Sequence, residues 1–274
     1  MKYVSMNLFK LEFKRSFKSL MIWSISLALS LLIVIVIYPM VDEMFEALEQ
    51  MIDYLESIDS GLVSMLETFG GIPDSGIEYF ATEGAMFLQL LGGIFAAIVG
   101  FGIINKDEKE KTVEVIYTLP ISRSNILLTK IIVVAVNLFI FMLIQVVMVV
   151  LGFLMVAPGE DISQMWVFGL FDYLMFLMIA YLSMFLSLIL KPNQSNFLAI
   201  AIPFPLYIIT VIAYATDQAF LKALKYLSPF TFVEPVGWLK DQTEFELINF
   251  ISFSILTIIV IIISFQLFRK RQII

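Results

Sequence analysis

Six apolar segments, each long enough to cross a bilayer, dominate this chain of 274 residues. They cover residues 20–40, 86–105, 131–157, 164–190, 196–216 and 247–268. Because a helix of about 20 apolar residues spans the hydrocarbon core, the pattern predicts six transmembrane helices. With 60% hydrophobic and 15% charged residues, little length remains for a large soluble domain. We therefore expect an all-α polytopic membrane protein with one transmembrane domain, residues 1–274.

The composition also argues against several kinds of chemistry. Cysteine and histidine are both absent, which removes disulfides, thiol nucleophiles, imidazole bases and the commonest zinc ligands. The chain has no G-x-x-x-x-G-K-[ST] phosphate loop. We predict no catalytic residue, no metal site and no cofactor bound by this chain, and no nucleic-acid partner is expected.

Charge asymmetry predicts the orientation of the spans. Residues 41–85 carry eleven acidic side chains and no Lys or Arg. On the side of the predicted termini and of the 106–130 loop there are fourteen basic residues, whereas the other side has three Lys and eighteen acids. Cytoplasmic loops retain Lys and Arg during insertion. Both termini are therefore expected to be cytoplasmic. The membrane is expected to be the plasma membrane of the cell.

Two amphipathic segments flank the first span. Residues 1–19 predict an interfacial helix along the inner leaflet, whose apolar positions recur at spacings of three and four: Met6, Phe9, Phe13, Phe17 and Leu20. A generic basic anchor is an equally good interpretation of this segment. Residues 41–85 show the same periodicity with acids between the apolar positions, which predicts an external amphipathic helical insertion. Its apolar face would pack on a second subunit or on the outer mouth of the bundle.

The predicted cytoplasmic connection, residues 105–130, is the most specific part of the sequence. A charged start and an apolar stretch precede Pro120, which predicts a short amphipathic helix that ends before the proline. Ser122 or Ser124 then caps the next helix. A helix, a sharp turn and a new helix give a compact projection, which a soluble partner could push.

Two motifs resemble the membrane subunit of a type-2 ABC transporter, a family of six-span permeases used mostly for export. The first follows the second span and comprises Glu110, Thr112, Glu114, Leu119, Pro120, Ile121, Ser122 and Arg123; the second comprises Leu227, Ser228, Pro229 and Phe230. The resemblance covers essentially the whole chain in span number, loop lengths and motif order. One departure is Lys111, where the family usually has glycine.

The resemblance implies that separate ABC ATPase subunits, which hold ATP and Mg, drive this chain. The segment before Pro120 would be a coupling helix in a cleft of the ATPase. The residues that contact or orient it would be Glu110, Thr112, Glu114, Pro120, Ser122 and Arg123. For any single charge, a solvated loop side chain is an equally good interpretation. The resemblance also implies a second permease copy or a paralogue, surrounded by membrane lipid.

Few polar residues occur within the spans, so each is a candidate for the translocation pathway: Gln89, Asn137, Gln145 and Asp172. Asp172 lies about nine residues into the fourth span, where an unpaired carboxylate is costly. It would face a cavity or a partner, or it would reach water if the span begins later, an alternative that the nearby Trp166 favours.

The last two predictions concern the outer part of the chain. Pro203 and Pro205 interrupt the fifth span and predict a break that serves as a hinge or as a static bend. Residues 217–246 are apolar but contain Lys222, Lys225 and several prolines, so they should not span. The resemblance implies a re-entrant segment whose turn, an external gate, includes Ser228, Pro229 and Phe230.

Two classes of function follow. The first is an exporter permease for an amphipathic or cationic peptide such as a toxin or an antimicrobial peptide, a substrate suggested by the negative outer charge and the Met- and Phe-rich helices. Lipid, drug and sodium export are alternatives within this class. The second is a non-transporting membrane sensor or assembly subunit that relays an external signal.

Overall fold

The computed structural model describes residues 5–56, 73, 75–109, 120–190, 194–214, 218–239 and 245–271. Within these ranges the chain is helical and contains no strand. The longer elements are α1 (Met6–Glu56), α2 (Gly76–Tyr79), a π-helical turn (Phe80–Ala85), α3 (Met86–Lys109), α4 (Arg123–Val156), α5 (Gln164–Ile189), a 3-10 helix (Asn196–Ala201) and α6 (Pro203–Tyr214). The remaining elements are α7 (Ala219–Lys222), two 3-10 turns (Ala223–Leu227 and Pro229–Thr231), α8 (Pro235–Leu239) and α9 (Leu247–Lys270).

Six helices of the described chain are long and apolar enough to cross a membrane, as the sequence predicted. Their bounds are Met6–Asp42, Gly76–Asp107, Arg123–Val156, Gln164–Ile189, Asn196–Tyr214 and Leu247–Lys270. The predicted all-α polytopic membrane fold is therefore confirmed. Large apolar side chains lie exposed along the outer surfaces of these helices, for example Ile33, Leu154 and Ile258. That exposure suits a lipid environment, because lipid tails are as apolar as these side chains.

The two ends of the bundle can be distinguished by the contacts that hold them together. At one end, which we call the terminal face, the start of α1 contacts the end of α3 and the start of α4. The end of α9 contacts the start of α4 and the end of α5 there. At the other end, the opposite face, the α4–α5 connection meets the start of α2 and the segment 218–239 packs among the helices.

Helix α1 runs without interruption through three regions that the sequence predicted separately. The predicted interfacial helix (1–19), the first span (20–40) and the start of the external segment (41–85) form one helix of 51 residues. No glycine separates these regions, and the single proline, Pro39, is exposed. At 1.5 Å per residue, the helix is roughly 75 Å long, so it extends well beyond a bilayer core. Residues 57–72 and 74 of the predicted external segment lie outside the described residues.

The leading part of α1 buries only part of the apolar stripe that the sequence predicted. Leu8, Glu12 and Leu20 are buried against the bundle, whereas Met6 and Phe17 are about half exposed. Part of the predicted apolar stripe therefore faces outward, where a membrane would cover it. The buried stripe includes an acidic residue, Glu12, because Lys130 of α4 and Arg15 of α1 itself pair with it.

The second span begins about ten residues earlier than predicted. Helix α2, the π-helical turn and α3 continue from residue 76 to residue 109, whereas the sequence suggested a start at residue 86. Glu160, from the α4–α5 connection, accepts hydrogen bonds from the backbone N–H groups of Gly76 (2.5 Å) and Ile77 (2.9 Å). A carboxylate at this position satisfies free N–H groups and complements the helix dipole. This end cap allows the helix to begin among acidic residues.

This cap gives a testable stability prediction. Glu160→Ala is expected to lower the stability of the purified protein by about 1 kcal/mol, because two N–H groups lose their acceptor. Glu83→Ala, at an exposed acid of the same helix, is the matched control and is expected to have little effect. Thermal unfolding in detergent measures both. Equal unfolding temperatures for the two variants would show that the Glu160 cap contributes nothing.

Close packing between α3 and α5 forms the centre of the bundle. Gly100 in α3 lies directly against the backbone carbonyl of Ala180 in α5. Nearby, the rings of Phe95 and Phe141 are 4.6 Å apart, and Phe141 also contacts Phe176. Small residues let transmembrane backbones approach in this way. The contact fixes α3 against α5 and thereby places the two ends of α3 at the two faces described above.

The fifth span is broken where the sequence placed its prolines. The 3-10 helix ends at Ala201 and α6 starts at Pro203, with Pro205 in its first turn. Proline is tolerated in the first turn of a helix because the N–H group that it lacks has no acceptor within the helix there. The break is therefore a change from a 3-10 helix to an α-helix. A hinge function at this position stays a prediction.

Candidate functional site

Four charged side chains form a closed ring at the terminal face. The ring, which we call the ionic ring, comprises Glu12, Arg15, Asp107 and Lys130. Lys130 Nζ lies 2.6 Å from Glu12 Oε1 and 2.6 Å from Asp107 Oδ2. Arg15 closes the ring at 2.7 Å from Asp107 Oδ1 and 3.4 Å from Glu12 Oε2. Two positive and two negative charges balance each other.

The ionic ring is buried. Lys130 and Glu12 have 1% and 3% of their side-chain surface exposed, and Asp107 has 10%. Lys130 also donates to the Ile103 carbonyl at 2.9 Å, so the three protons of its ammonium group have three acceptors. Arg15 is partly buried, with 16% of its side chain exposed. Burying charges is an expensive way to hold helices together. The arrangement joins α1, α3 and α4 at defined positions along their lengths.

Sequence reasoning missed the ionic ring. Lys130 and Arg15 contributed only to charge counts, and Asp107 and Glu12 were not singled out at all. One signal was present in the sequence: Glu12 is the one acid among five basic residues of the leading segment, at a spacing of four from Leu8. An acid on that stripe of a helix needs a buried cation.

The structure describes some of the predicted coupling residues and not others. Glu110, Thr112 and Glu114 lie outside the described residues. Pro120 and Ile121 form a bend, after which the Ser122 side chain caps α4 by accepting from the N–H of Asn125 at 3.3 Å. The alternative cap, Ser124, instead accepts from Arg269 Nε at 2.7 Å.

Arg123 points toward the end of the last helix. Its guanidinium donates to the carbonyls of Arg269 (2.8 Å) and Arg271 (2.9 Å). Arg271 in turn donates to the carbonyls of Ser187 and Leu188 at the end of α5. Free carbonyls at a helix end are good acceptors for a guanidinium. Arg123 thus joins the start of α4 to the end of α9, and its contact or orienting role toward an ATPase stays a prediction.

At the opposite face, the predicted external gate is fully buried. Ser228 and Phe230 have no exposed surface, and Pro229 is buried with them. Ser228 Oγ and Thr210 Oγ1 in α6 lie 2.8 Å apart. Asn249 in α9 donates to Thr231 Oγ1 at 2.6 Å and to the Lys225 carbonyl at 3.0 Å. We call residues 228–233 the outer plug, after the outer position and gate role that the sequence analysis predicts for them.

The ring of Phe230 fills a gap that a glycine leaves open. A Cβ atom at Gly93 in α3 would lie 2.9 Å from the Cζ atom of Phe230, so the ring rests on bare backbone. On its other side, Phe230 meets Tyr207 of α6 edge to face, with ring centres 5.5 Å apart. The outer plug is therefore packed between the second and fifth spans.

Two of the predicted pathway residues meet behind the outer plug. Gln89 Nε2 donates to Asp172 Oδ1 and to the Val233 carbonyl, both at 2.9 Å. Asp172 has no exposed surface within the described chain, and its place in a pathway or near the outer interface stays a prediction. The second carboxyl oxygen of Asp172 has no hydrogen-bond partner among the described residues. Gln89 thus connects the fourth span to the outer plug.

The other two pathway candidates lie between α1 and α4. Asn137 Oδ1 accepts from Ser16 Oγ at 3.0 Å, and Gln145 Nε2 donates to the Ser24 carbonyl at 3.1 Å. Both side chains are fully buried. Within the described chain they join two helices of the bundle. A place along a pathway stays a prediction for these two residues.

A cavity of about 290 Å³ lies beside the outer plug. Its lining combines aromatic and charged side chains: Ala213, Tyr214, Lys222, Lys225, Thr231, Phe232, Val233, Glu234, Trp238 and Glu246. Lys225 pairs with Glu246 at 2.6 Å, and that hydrogen bond raises the pKa of Lys225. Burial raises the pKa of Glu234, although its carboxylate accepts from the N–H groups of Val236 and Gly237.

The sequence matches one family along nearly its full length. The model of the family described as ABC-2 family transporter protein matches residues 6–273, so the chain belongs to that family. It is a permease subunit of an ABC transporter, which is a membrane component and not itself the catalyst. The family implies association with an ABC ATPase. A search of curated proteins gives no significant match.

Proposed function

We propose that this permease is the membrane half of an ATP-driven exporter, paired with a second copy or a paralogue and driven by separate ATPase subunits. In this proposal the terminal face is cytoplasmic. The loop between Lys109 and Arg123, which we call the docking loop, binds the ATPase. The observation that carries the proposal is that both flanks of this loop are anchored in the bundle. Asp107 and Lys130 belong to the ionic ring, and Arg123 holds the end of α9.

Anchored flanks are what an ATP-driven permease requires. A loop that moved independently of the spans could not transmit work from an ATPase to a pathway. Here, contacts from the loop flanks reach α1 and α9, and α3 continues to the outer plug through Gly93 and Gln89. The outer plug, buried among four spans, is the element that would have to move for release to the outside.

We propose an amphipathic or cationic peptide as the substrate. The support is the charge of the predicted outer side, with eighteen acids against three Lys, and the long, apolar helices rich in Met and Phe. A negative outer field would attract a cationic peptide to its exit or capture it there. The cavity beside the outer plug adds aromatic surface next to Glu234 and Glu246.

Copurification with an ABC ATPase tests the proposal most directly. We expect the permease and its ATPase to form a stable complex in detergent, and we expect ATP hydrolysis by the reconstituted complex to rise when a cationic amphipathic peptide is added. A permease that binds no ATPase would favour a non-transporting sensor. Stimulation of ATP hydrolysis by a lipid, a drug or sodium, and not by the peptide, would indicate that the substrate belongs to one of those classes.

A substitution at Arg123 gives a prediction at the docking loop. Arg123→Ala removes two charge-assisted hydrogen bonds to the end of α9, each worth about 1.5–3 kcal/mol in a buried setting and less near water. We expect stimulation of the ATPase by the permease to fall several-fold. Lys270→Ala, at an exposed cation of the same helix end, is the control. Unchanged stimulation in the Arg123 variant would contradict an orienting role.

The acidic external segment gives a separate prediction about substrate. Neutralising the acids between Asp42 and Asp59 to Gln or Asn is expected to weaken the response to a cationic peptide and to leave assembly with the ATPase intact. The physical reason is the loss of long-range attraction at the predicted exit. Peptide-stimulated ATP hydrolysis, measured at low and high salt, is the readout. An identical peptide response at low salt would count against the peptide proposal.

A further inference from the structure

The ionic ring connects three helices that meet at the two flanks of the docking loop. Asp107 lies at the end of α3, just before the loop, and Lys130 lies two turns into α4, just after it. Their contact at 2.6 Å holds the two flanks together. Glu12 and Arg15 add α1, since Glu12 contacts Lys130 and Arg15 contacts Asp107. Displacement of either flank therefore acts directly on the leading part of α1.

Further hydrogen bonds attach the leading part of α1 to α4, so the two should move together. The N–H of Ser5 donates to Thr129 Oγ1 at 3.4 Å, and Ser16 Oγ donates to Asn137 Oδ1 at 3.0 Å. Lys106 Nζ donates to the Arg15 carbonyl at 3.1 Å, which adds a second link from α3. The face of α1 turned away from these contacts carries exposed apolar side chains, including Met6, Leu11 and Phe17. These three side chains are about half exposed, so the described chain covers that face only in part.

We propose that the ionic ring is the joint through which displacement of the docking loop reaches α1, with Lys130 as its positioning residue. The proposal rests on the function proposed above. Lys130 is central because its one ammonium group satisfies an acid of α1, an acid of α3 and a carbonyl of α3. Buried polar groups of this kind define one register between helices, whereas apolar packing tolerates several. A defined register is what a joint between moving helices needs.

The absence of cysteine from the chain makes a direct test possible. Spin labels are placed at Leu11→Cys in α1 and Ile189→Cys at the end of α5, two exposed positions at the terminal face. The labelled permease is mixed with unlabelled permease so that most complexes contain one labelled chain, and is assembled with its ATPase in nanodiscs. We expect ATP to change the distance between the labels in the parent protein. No change in an actively hydrolysing complex would overturn the proposal.

Lys130→Met is the main variant, because methionine is an unbranched side chain only one atom shorter than lysine and carries no charge. We expect the ATP-dependent change in distance to disappear and the stimulation of ATP hydrolysis by the permease to fall roughly tenfold, as for loss of a buried charged contact. Binding of the ATPase should remain. Lys14→Met, at an exposed lysine of α1, one of the helices that the ionic ring joins, is the matched control.

A double variant separates the positioning role from simple stability. Lys130→Met alone leaves Glu12 and Asp107 with one cation between them, so it will also lower stability. Glu12→Gln combined with Lys130→Met restores charge balance, because Arg15 still pairs with Asp107. We expect the double variant to regain most of the lost thermal stability and to remain uncoupled. If coupling returns along with stability, the ionic ring is only structural.

The same experiment distinguishes this proposal from the general function. If the parent permease neither binds an ATPase nor changes its hydrolysis, the proposed exporter function fails. If the parent complex is active and Lys130→Met behaves like Lys14→Met, the function stands and only the role of the ionic ring is refuted.

Discussion

Gly100→Ala is expected to destabilise the protein by about 2–3 kcal/mol, the upper range for overpacking a well-packed core. A Cβ atom at this position would lie 2.6 Å from the carbonyl carbon of Ala180 and closer still to its oxygen. Both groups belong to helix backbones, so no side-chain rotation can relieve the overlap. Helices α3 and α5 must separate, and this loss exceeds the gain of about 1 kcal/mol that alanine has over glycine in a helix.

Gly102→Ala is the matched control. It lies two residues further along α3, and the nearest atom to its added Cβ would be 3.8 Å away, at ordinary contact distance. We expect Gly102→Ala to be neutral or slightly stabilising, so the two variants should shift the unfolding temperature in opposite directions. Unfolding of purified protein in detergent, followed by fluorescence, measures both. Stabilisation by both variants would contradict the close approach of α3 and α5.

Phe230→Ala is expected to cost about 3–5 kcal/mol, as for other large aromatic side chains removed from cores. The ring is fully buried between Gly93 and Tyr207, and neither neighbour can fill the space that it leaves. Because Phe230 belongs to the outer plug, we also expect increased access from outside. In the Phe230→Ala variant, a cysteine that replaces Tyr207 should react with a water-soluble thiol reagent more quickly than the same cysteine does in a protein that keeps Phe230.

The control for this prediction is Phe220→Ala. Phe220 lies in the same segment but has 79% of its surface exposed, so its removal should change stability by less than about 0.5 kcal/mol. A cysteine at Tyr207 should keep its slow reaction in the Phe220 variant. If Phe230→Ala unfolds at the same temperature as Phe220→Ala, the outer plug is not packed as described.

The spans could be predicted from sequence because an unbroken run of about 20 apolar residues has few other solutions. The start of the second span could not be predicted in this way. Residues 76–85 include Glu78 and Glu83 and therefore look like part of the acidic external segment. They join the helix because Glu160, more than 70 residues later in the chain, caps it. Periodicity within a segment carries no information about such a distant partner.

The candidate sites show the same limitation. The Ser228, Pro229 and Phe230 turn was singled out by its motif, but the fit of Phe230 onto Gly93 depends on two helices approaching each other. The ionic ring combines residues more than 100 positions apart, and each alone resembles a surface charge. Asp172 was recognised as unusual because a carboxylate in a span is costly. Its partner, Gln89, was recognised separately, and only the folded chain shows that they meet.

The π-helical turn at residues 80–85 places a geometric constraint on the second span. A π turn holds one more residue than an α turn, and one residue corresponds to about 100° of rotation around a helix axis. On the C-terminal side of the turn, Gly100 packs α3 against the backbone of α5. On its N-terminal side, Gly76 and Ile77 donate hydrogen bonds to Glu160. Any state in which these six residues become α-helical must therefore rotate the two halves of the span by about a quarter of a turn relative to each other. A rotation at the π-helical turn would let the half that contains Gly76 present a new face while the half that contains Gly100 keeps its packing.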